Sequence, residues 1–267
     1  MAGSRGPIRA VLFDMDGLML DSEEIYTTVV NEVLAPYNKT QSYAIKARLM
    51  GTPERVATEI LLSALWPSPE DPSKISKDCP FTVENFLEGR NERLEEHFRR
   101  VLPLPGAVRL VKHLEKHGVH MCVATGSKRK NFKLKSGHNG QLFEPFGKRI
   151  ICGDDPRLKR GKPTPDVFLL AAREGLGVPE IKEGTRMWGA EHDGTSGGLE
   201  HEILVFEDAK PGVQAAKAAG MKVIWIPDPN IKETLLAEGD LGADQVLDSL
   251  LDFRPEEWGL PAFDDAA

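Results

Sequence analysis

Asp14 and Asp16 stand one residue apart in the stretch VLFDMDGLMLDSE, Val11 to Glu23, where a run of β-forming residues stops abruptly. Two carboxylates at one strand exit repel each other unless they share a counter-charge or do different work. A carboxylate can attack phosphorus and become an aspartyl-phosphate. A second carboxyl two positions along returns to the same side of an extended chain, where it can shuttle the leaving-group proton.

Other residues fit the same chemistry. Glu207 and Asp208 end the apolar run EILVFED, Thr125 and Ser127 flank Gly126 after VHMCVA, and Lys162 lies in KRGKPTPD. Brought to one crevice, Asp14, Asp16, Glu207 and Asp208 would need a cation among them, and oxygen-only ligands favour Mg²⁺. Lys162 offers a second, protein-borne positive charge. Such a set suits phosphoryl transfer, where catalysis is mainly positioning and charge neutralisation. Each piece alone has a bland reading: a DxD is usually a turn, GKP a surface loop, FED a strand end. Their joint occurrence, each after a predicted strand, carries the argument.

The elements that must position these residues are short apolar runs leading into polar ones. IRAVLF, VHMCVAT, RIICGDD, EILVFED and KVIWIPD read as central strands of a parallel sheet covered on both faces. PDVFLLAAREGLG and PGVQAAKAAG read as crossover helices opened by proline and closed by glycine. In open parallel sheets, ligands bind beyond the carboxyl ends of the strands. From Leu18 to about Leu102 strand-like runs vanish, and EEIYTTVVNEVLAPY, ERVATEILLSALW and TVENFLEGRNERLEEHFRRVL show helical periodicity. The expectation is a doubly wound α/β core over residues 1–17 and 103–267, interrupted by a helical cap at 18–102. The loop Pro67–Pro80 should link two cap helices, and the glycine-rich Gly184–Glu200 should be a flexible surface loop.

Bulk properties narrow the function. The chain has 267 residues, 40% hydrophobic and 28% charged, with a formal net charge of -7. That is an ordinary soluble composition without the basic face of a nucleic-acid binder, and it leaves room for small anionic substrates. Cys79, Cys122 and Cys152 lack metal-ligand spacing and read as reduced thiols. MAGSRGPIRA has no apolar h-region, and no run approaches the roughly 18 apolar residues of a membrane helix, so a cytosolic monomer without membrane contact is expected. The seven histidines show no catalytic spacing and read as surface or helix-face residues.

With these residues placed, the chain resembles the haloacid dehalogenase superfamily of phosphohydrolases, in the branch with a helical cap between the first two motifs. DMDGLMLDSE is similar to the first motif, ATGS to the second, GKPTPDVF to the third and VFEDAKPGVQAAKAAGM to the fourth. The resemblance implies a nucleophile at Asp14, an acid/base at Asp16, and phosphate binding by Thr125, Gly126, Ser127 and Lys162. It also implies Mg²⁺ held by Asp14, the Asp16 backbone carbonyl, Glu207 and Asp208. Dehalogenases of this fold lack the second aspartate, so Asp16 favours phosphate chemistry.

A closer likeness, in LVFEDA, GDDP, RLMGTPERVA and the tail LDSLLDFRPEEWGLPAF, is to the pseudouridine-5'-phosphatases, although Gly126 stands where serine is usual. It implies a small phosphorylated metabolite such as pseudouridine 5'-phosphate as substrate. Sugar- and polyol-phosphate phosphatases share every catalytic residue named, and a phosphomutase of the same fold or a non-catalytic binding protein are the rival classes. Selectivity would come from the cap and the segment leading into it, around Met19, Leu20 and Gly51. Core packing is the simpler role for Met19 and Leu20.

Overall fold

The computed structural model describes residues 8–49, 52–176, 199–237 and 239–264. The segment 184–198 of the expected glycine-rich loop lies outside them, as does Gly51. In chain order the elements are β1 (Ala10–Phe13), α1 (Ser22–Leu34), α2 (Tyr43–Leu49), α3 (Glu54–Leu65), α4 (Val83–Phe98) and α5 (Ala107–Lys116). β2 (His120–Ala124), α6 (Arg129–Ser136), α7 (Gly140–Phe143), β3 (Ile150–Ile151) and α8 (Asp166–Leu170) follow. β4 (Ile203–Glu207), α9 (Lys210–Ala218), β5 (Lys222–Trp225), α10 (Lys232–Leu236) and β6 (Gln245–Val246) complete the set.

The six strands form one sheet in the order β3-β2-β1-β4-β5-β6, with every neighbouring pair parallel. Its topological switch lies between β1 and β4, which leave the middle of the sheet toward opposite edges. A crevice opens there beyond the strand ends. The alternating faces of β1 show why the apolar run is unbroken. Val11 and Phe13 enter one core cluster with Leu110, Leu114 and Phe146, whereas Ala10 and Leu12 enter another with Phe168, Val213 and Ala216. Both faces are dry, so no polar alternation is tolerated. The expected α/β class and five parallel strands are present. β6, only two residues long and half-buried, adds an edge strand that sequence periodicity did not reveal.

Between β1 and α5 the chain is helical. Val30 and Leu34 of α1, Leu61 and Leu62 of α3, and Val83 and Phe86 of α4 enclose an apolar cluster of their own. Helix α4 starts at a capping box: Thr82 Oγ1 accepts from Asn85 N, and Asn85 Oδ1 accepts from Thr82 N. The polar stretch after α3 forms a loop folded back on itself, Pro67 bridging to Ile75. No helix among the described residues is long and apolar enough to cross a membrane.

Candidate active site

Strand register sets the distance between the acidic residues. Phe13 pairs with Phe206 across β1 and β4, and their rings stack with centroids 5.2 Å apart and planes 7° from parallel. The next residue on each strand is therefore an acid beside an acid, Asp14 next to Glu207. The backbone N–H of Asp14 donates to the Phe206 carbonyl at 3.0 Å, which extends the ladder one step into the site. Gly17 turns the chain at φ +77°, and a Cβ there would lie 2.2 Å from Asp208 Oδ2. Only glycine lets the loop adopt this conformation and the Asp208 carboxylate come so close.

Lys162 reaches into the acidic group from the loop before α8. Its ammonium donates to Asp14 Oδ1 and to Glu207 Oε1, both at 2.5 Å. Glu207 Oε2 accepts from the backbone N–H of Asp208 at 3.1 Å and of Ala209 at 3.3 Å. Gly212 makes room for it, since a Cβ at that position would overlap the Glu207 carboxylate. Glu207 is thus bonded on both oxygens. Burial, with the charges of Glu207 and Asp16, pushes the Asp14 carboxyl up from 3.8 to about 7, although Lys162 pulls the other way. Burial and the neighbouring Glu207 and Asp14 charges push Asp208 well above the ordinary carboxylate range.

Asp16 has the opposite environment. Its Oδ1 accepts from Ser22 Oγ at 2.7 Å and from Lys135 Nζ, and its Oδ2 accepts from Ser127 Oγ at 2.6 Å. Burial acts to raise its pKa, but the Lys135 charge and these three donors outweigh it and hold the carboxyl below the ordinary range. Two aspartates one residue apart are therefore held in different protonation environments, Asp14 toward its protonated form and Asp16 toward its ionised form while no cation or substrate is bound. Thr125, almost fully buried, accepts from the Ser127 N–H on Oγ1 at 3.0 Å and fixes the loop that carries exposed Gly126.

The donor set fits a hard cation. Ligand atoms of Asp14, Glu207 and Asp208 lie within 4.8 Å of one another, and all three residues are buried. The Asp208 carboxylate accepts no hydrogen bond from any described residue, although its backbone carbonyl takes the Trp225 indole N–H at 2.7 Å. Three buried carboxylates gathered against one ammonium, that of Lys162, carry an excess of negative charge when ionised. A divalent ion bound by oxygen would balance it.

Asp14, Asp16, Thr125, Gly126, Ser127, Glu207 and Asp208 stand at the carboxyl ends of the central strands β1, β2 and β4 or in the loops that follow them, and Lys162 joins them from the loop after the edge strand β3. Met19 and Leu20, expected at the substrate pocket, are inside the fold. Both are wholly buried in the core cluster beneath the sheet ends, because the turn after Gly17 folds them inward, so packing is their role. Asp155, another strand-end acid, faces away and is bound by Arg157 at 2.8 Å. Among the histidines, His113 is buried, not a surface residue: its Nε2 lies 2.8 Å from the Pro261 carbonyl and its ring packs on Phe263. Sequence reasoning missed Lys135 and Ser22. The signal for Lys135 was present, since it falls three residues after buried Phe132 and so shares its helix face.

Comparison with known proteins gives a consistent set. The profile of the haloacid dehalogenase-like hydrolases matches residues 11–226. The chain is 41% identical to "(DL)-glycerol-3-phosphatase 1, mitochondrial" of Arabidopsis thaliana, over 98% of this chain and 77% of that protein. It is 34% identical to "Probable pseudouridine-5'-phosphatase" of Drosophila melanogaster, over 95% of each. Among solved structures it is similar to a HAD family hydrolase from Deinococcus radiodurans R1 with bound phosphate and sodium. That match has a TM-score of 0.69 at 25% identity and covers 96% of this chain and 99% of the other.

Proposed function

The chain belongs to the haloacid dehalogenase-like hydrolases and is a phosphatase of small phosphorylated molecules, and on that footing we propose that it cleaves phosphomonoesters with Mg²⁺ through a phosphorylated Asp14. The observation that carries this reading is the meeting of Asp14, Glu207 and Asp208 around one point, with Lys162 bonded to the first two.

In this reading Asp14 attacks phosphorus while Lys162, Thr125 and Ser127 neutralise and orient the phosphoryl oxygens. The negative charge of the bound phosphoryl group opposes the pull of Lys135 and favours a protonated Asp16, which gives that proton to the departing oxygen as the P–O bond breaks. Asp16 then takes a proton from the water that attacks the aspartyl-phosphate, so one carboxyl serves both half-reactions. Asp14 and Asp208, with Glu207 behind them, would hold Mg²⁺, which supplies positive charge to the phosphoryl oxygens and keeps Asp14 ionised. The helices of residues 18–102 act as a cap that excludes water during the reaction and opens to release product.

For the substrate, a polyol phosphate such as glycerol 3-phosphate is the first reading. It is supported by the two Arabidopsis thaliana glycerol-3-phosphatases, at 41% and 38% identity. Pseudouridine 5'-phosphate is the second reading, supported by the Drosophila relative. A phosphate-release assay with and without Mg²⁺ tests the reaction class. Wild-type protein should release phosphate only with the cation and Asp14→Asn none, whereas a phosphomutase would release none without water as acceptor. Ranking kcat/KM over glycerol 3-phosphate, a hexose phosphate, pseudouridine 5'-phosphate and uridine 5'-phosphate tests the substrate. The polyol reading fails if pseudouridine 5'-phosphate leads by about tenfold, a gap of about 1.4 kcal/mol in transition-state binding.

A further inference from the structure

Lys135 on α6 is a buried charged group that none of the four motifs contains. Its side chain has no exposed surface, yet it is a lysine where methionine or leucine would pack without loss. Taking an ammonium out of water costs several kcal/mol unless a partner and good geometry offset it. The partner is Asp16: the Lys135 ammonium bonds to Oδ1, and it lies 3.2 Å from Ser127 Oγ, which itself donates to Oδ2. The ammonium also lies over aromatic rings from two other helices. The ammonium is 4.0 Å from the ring centroid of Phe98 at the end of α4 and 5.4 Å from that of Tyr26 in α1. Those two rings pack edge to face at 5.5 Å.

The arrangement is asymmetric. Oδ1 is anchored by a cation and by Ser22, whereas Oδ2 is held only by the hydroxyl of Ser127, in the loop that carries exposed Gly126. A single hydroxyl can rotate to another acceptor, and a buried ammonium roofed by two rings cannot move away. We propose that Lys135 is a positioning residue for Asp16, fixing Oδ1 so that Oδ2 alone is presented to the leaving oxygen and then to water. Lys135 keeps its proton throughout. The proton that moves is the one Asp16 gives up as the P–O bond breaks, and the one it regains from water as the aspartyl-phosphate is hydrolysed. Because Phe98 and Tyr26 complete the enclosure, the rotamer of the acid/base depends on the helices of residues 22–98 as well as on the sheet.

This rests on the phosphomonoesterase reading, and its test separates the two. Alkyl phosphates need a proton at the leaving oxygen, whereas 4-nitrophenyl phosphate has a leaving group good enough to depart without one. kcat/KM for glycerol 3-phosphate and for 4-nitrophenyl phosphate should be measured on one preparation of Lys135→Met, so that any inactive fraction cancels in their ratio. The expected result is a ratio of alkyl to aryl kcat/KM at least tenfold below that of the wild type. That is on the scale of a misplaced general acid. KM for glycerol 3-phosphate should change less than kcat. Lys135→Gln, which keeps a donor without the charge, should fall between the two, and it serves as the readout if the methionine variant does not fold. A uniform loss on both substrates would make Lys135 a structural residue and overturn the proposal, as would an unchanged ratio. Wild-type protein that releases phosphate from neither ester would overturn the underlying reading as well.

Discussion

Replacing Asp14 by asparagine should abolish turnover and yet make the cation-free protein more stable. The Asp14 carboxyl rises from 3.8 to about 7 in the fold, and burial is the main cause. At about 1.4 kcal/mol per tenfold change in acidity, ionising it inside costs roughly 4 kcal/mol more than in the unfolded chain. Between pH 4 and 7 the native state keeps a proton that the unfolded chain has released. Stability therefore falls as pH rises through that window and levels off above it. The pull of Lys162 is already contained in that figure, so asparagine, which stays neutral, removes the penalty as a whole. A net gain of up to about 4 kcal/mol results at pH 8, which for a chain of this size raises Tm by roughly 8–16 °C. Thermal unfolding in a chelator at pH 5 and pH 8 is the assay. The variant's advantage should be larger at pH 8, and Mg²⁺ should raise the wild-type Tm far more than the variant's. An Asp14→Asn protein less stable than wild type at pH 8, with no trend toward pH 5, would refute the claim that the cluster is held together against its own charge.

Two further outcomes follow from geometry. Gly17→Ala combines a left-handed φ of +77° with a Cβ 2.2 Å from Asp208 Oδ2, so the Mg²⁺ concentration for half-maximal activity should rise about tenfold or more. Lys46 of α2 is buried, its ammonium 2.8 Å from Asp228 after β5 and 3.7 Å from Glu23. Lys46→Met should cost on the order of 3–5 kcal/mol by urea unfolding, with partial recovery when Asp228→Asn is added, and a cost under about 0.5 kcal/mol would sink this reading.

Much of the site was legible because its chemistry is written at strand ends. An unbroken apolar run followed by acids, as in AVLFDMD and ILVFED, has few uses other than a central parallel strand feeding a crevice. β6 was illegible because Gln245 and Val246 are half-buried and make no period. Helices α6 and α7 were missed because NFKLKSGHNGQLF mixes lysine and glycine into what is a packed face through Phe132, Leu142 and Phe143. Lys135 illustrates the difficulty best: a lysine reads as solvent-facing until its carboxylate partner, more than a hundred residues away, is placed beside it. Met19 and Leu20 were offered to the substrate because they lie where the chain enters the helices of residues 18–102. The turn at Gly17 sends them into the core instead.

The stacked rings of Phe13 and Phe206 bear on how such an enzyme changes over generations. They sit one residue behind Asp14 and Glu207, on strands whose backbone ladder sets the gap between those two acids, and the rings fill the space behind it. A lineage acquiring a new substrate can rewrite the helices of residues 18–102 apart from Tyr26 and Phe98, which enclose Lys135, but a smaller side chain at either stacked ring would leave a cavity directly behind the acids on which every substrate depends. Laboratory selections for altered selectivity should leave positions 13 and 206 outside the library, and lost catalysis there should trace to packing with no acidic residue touched.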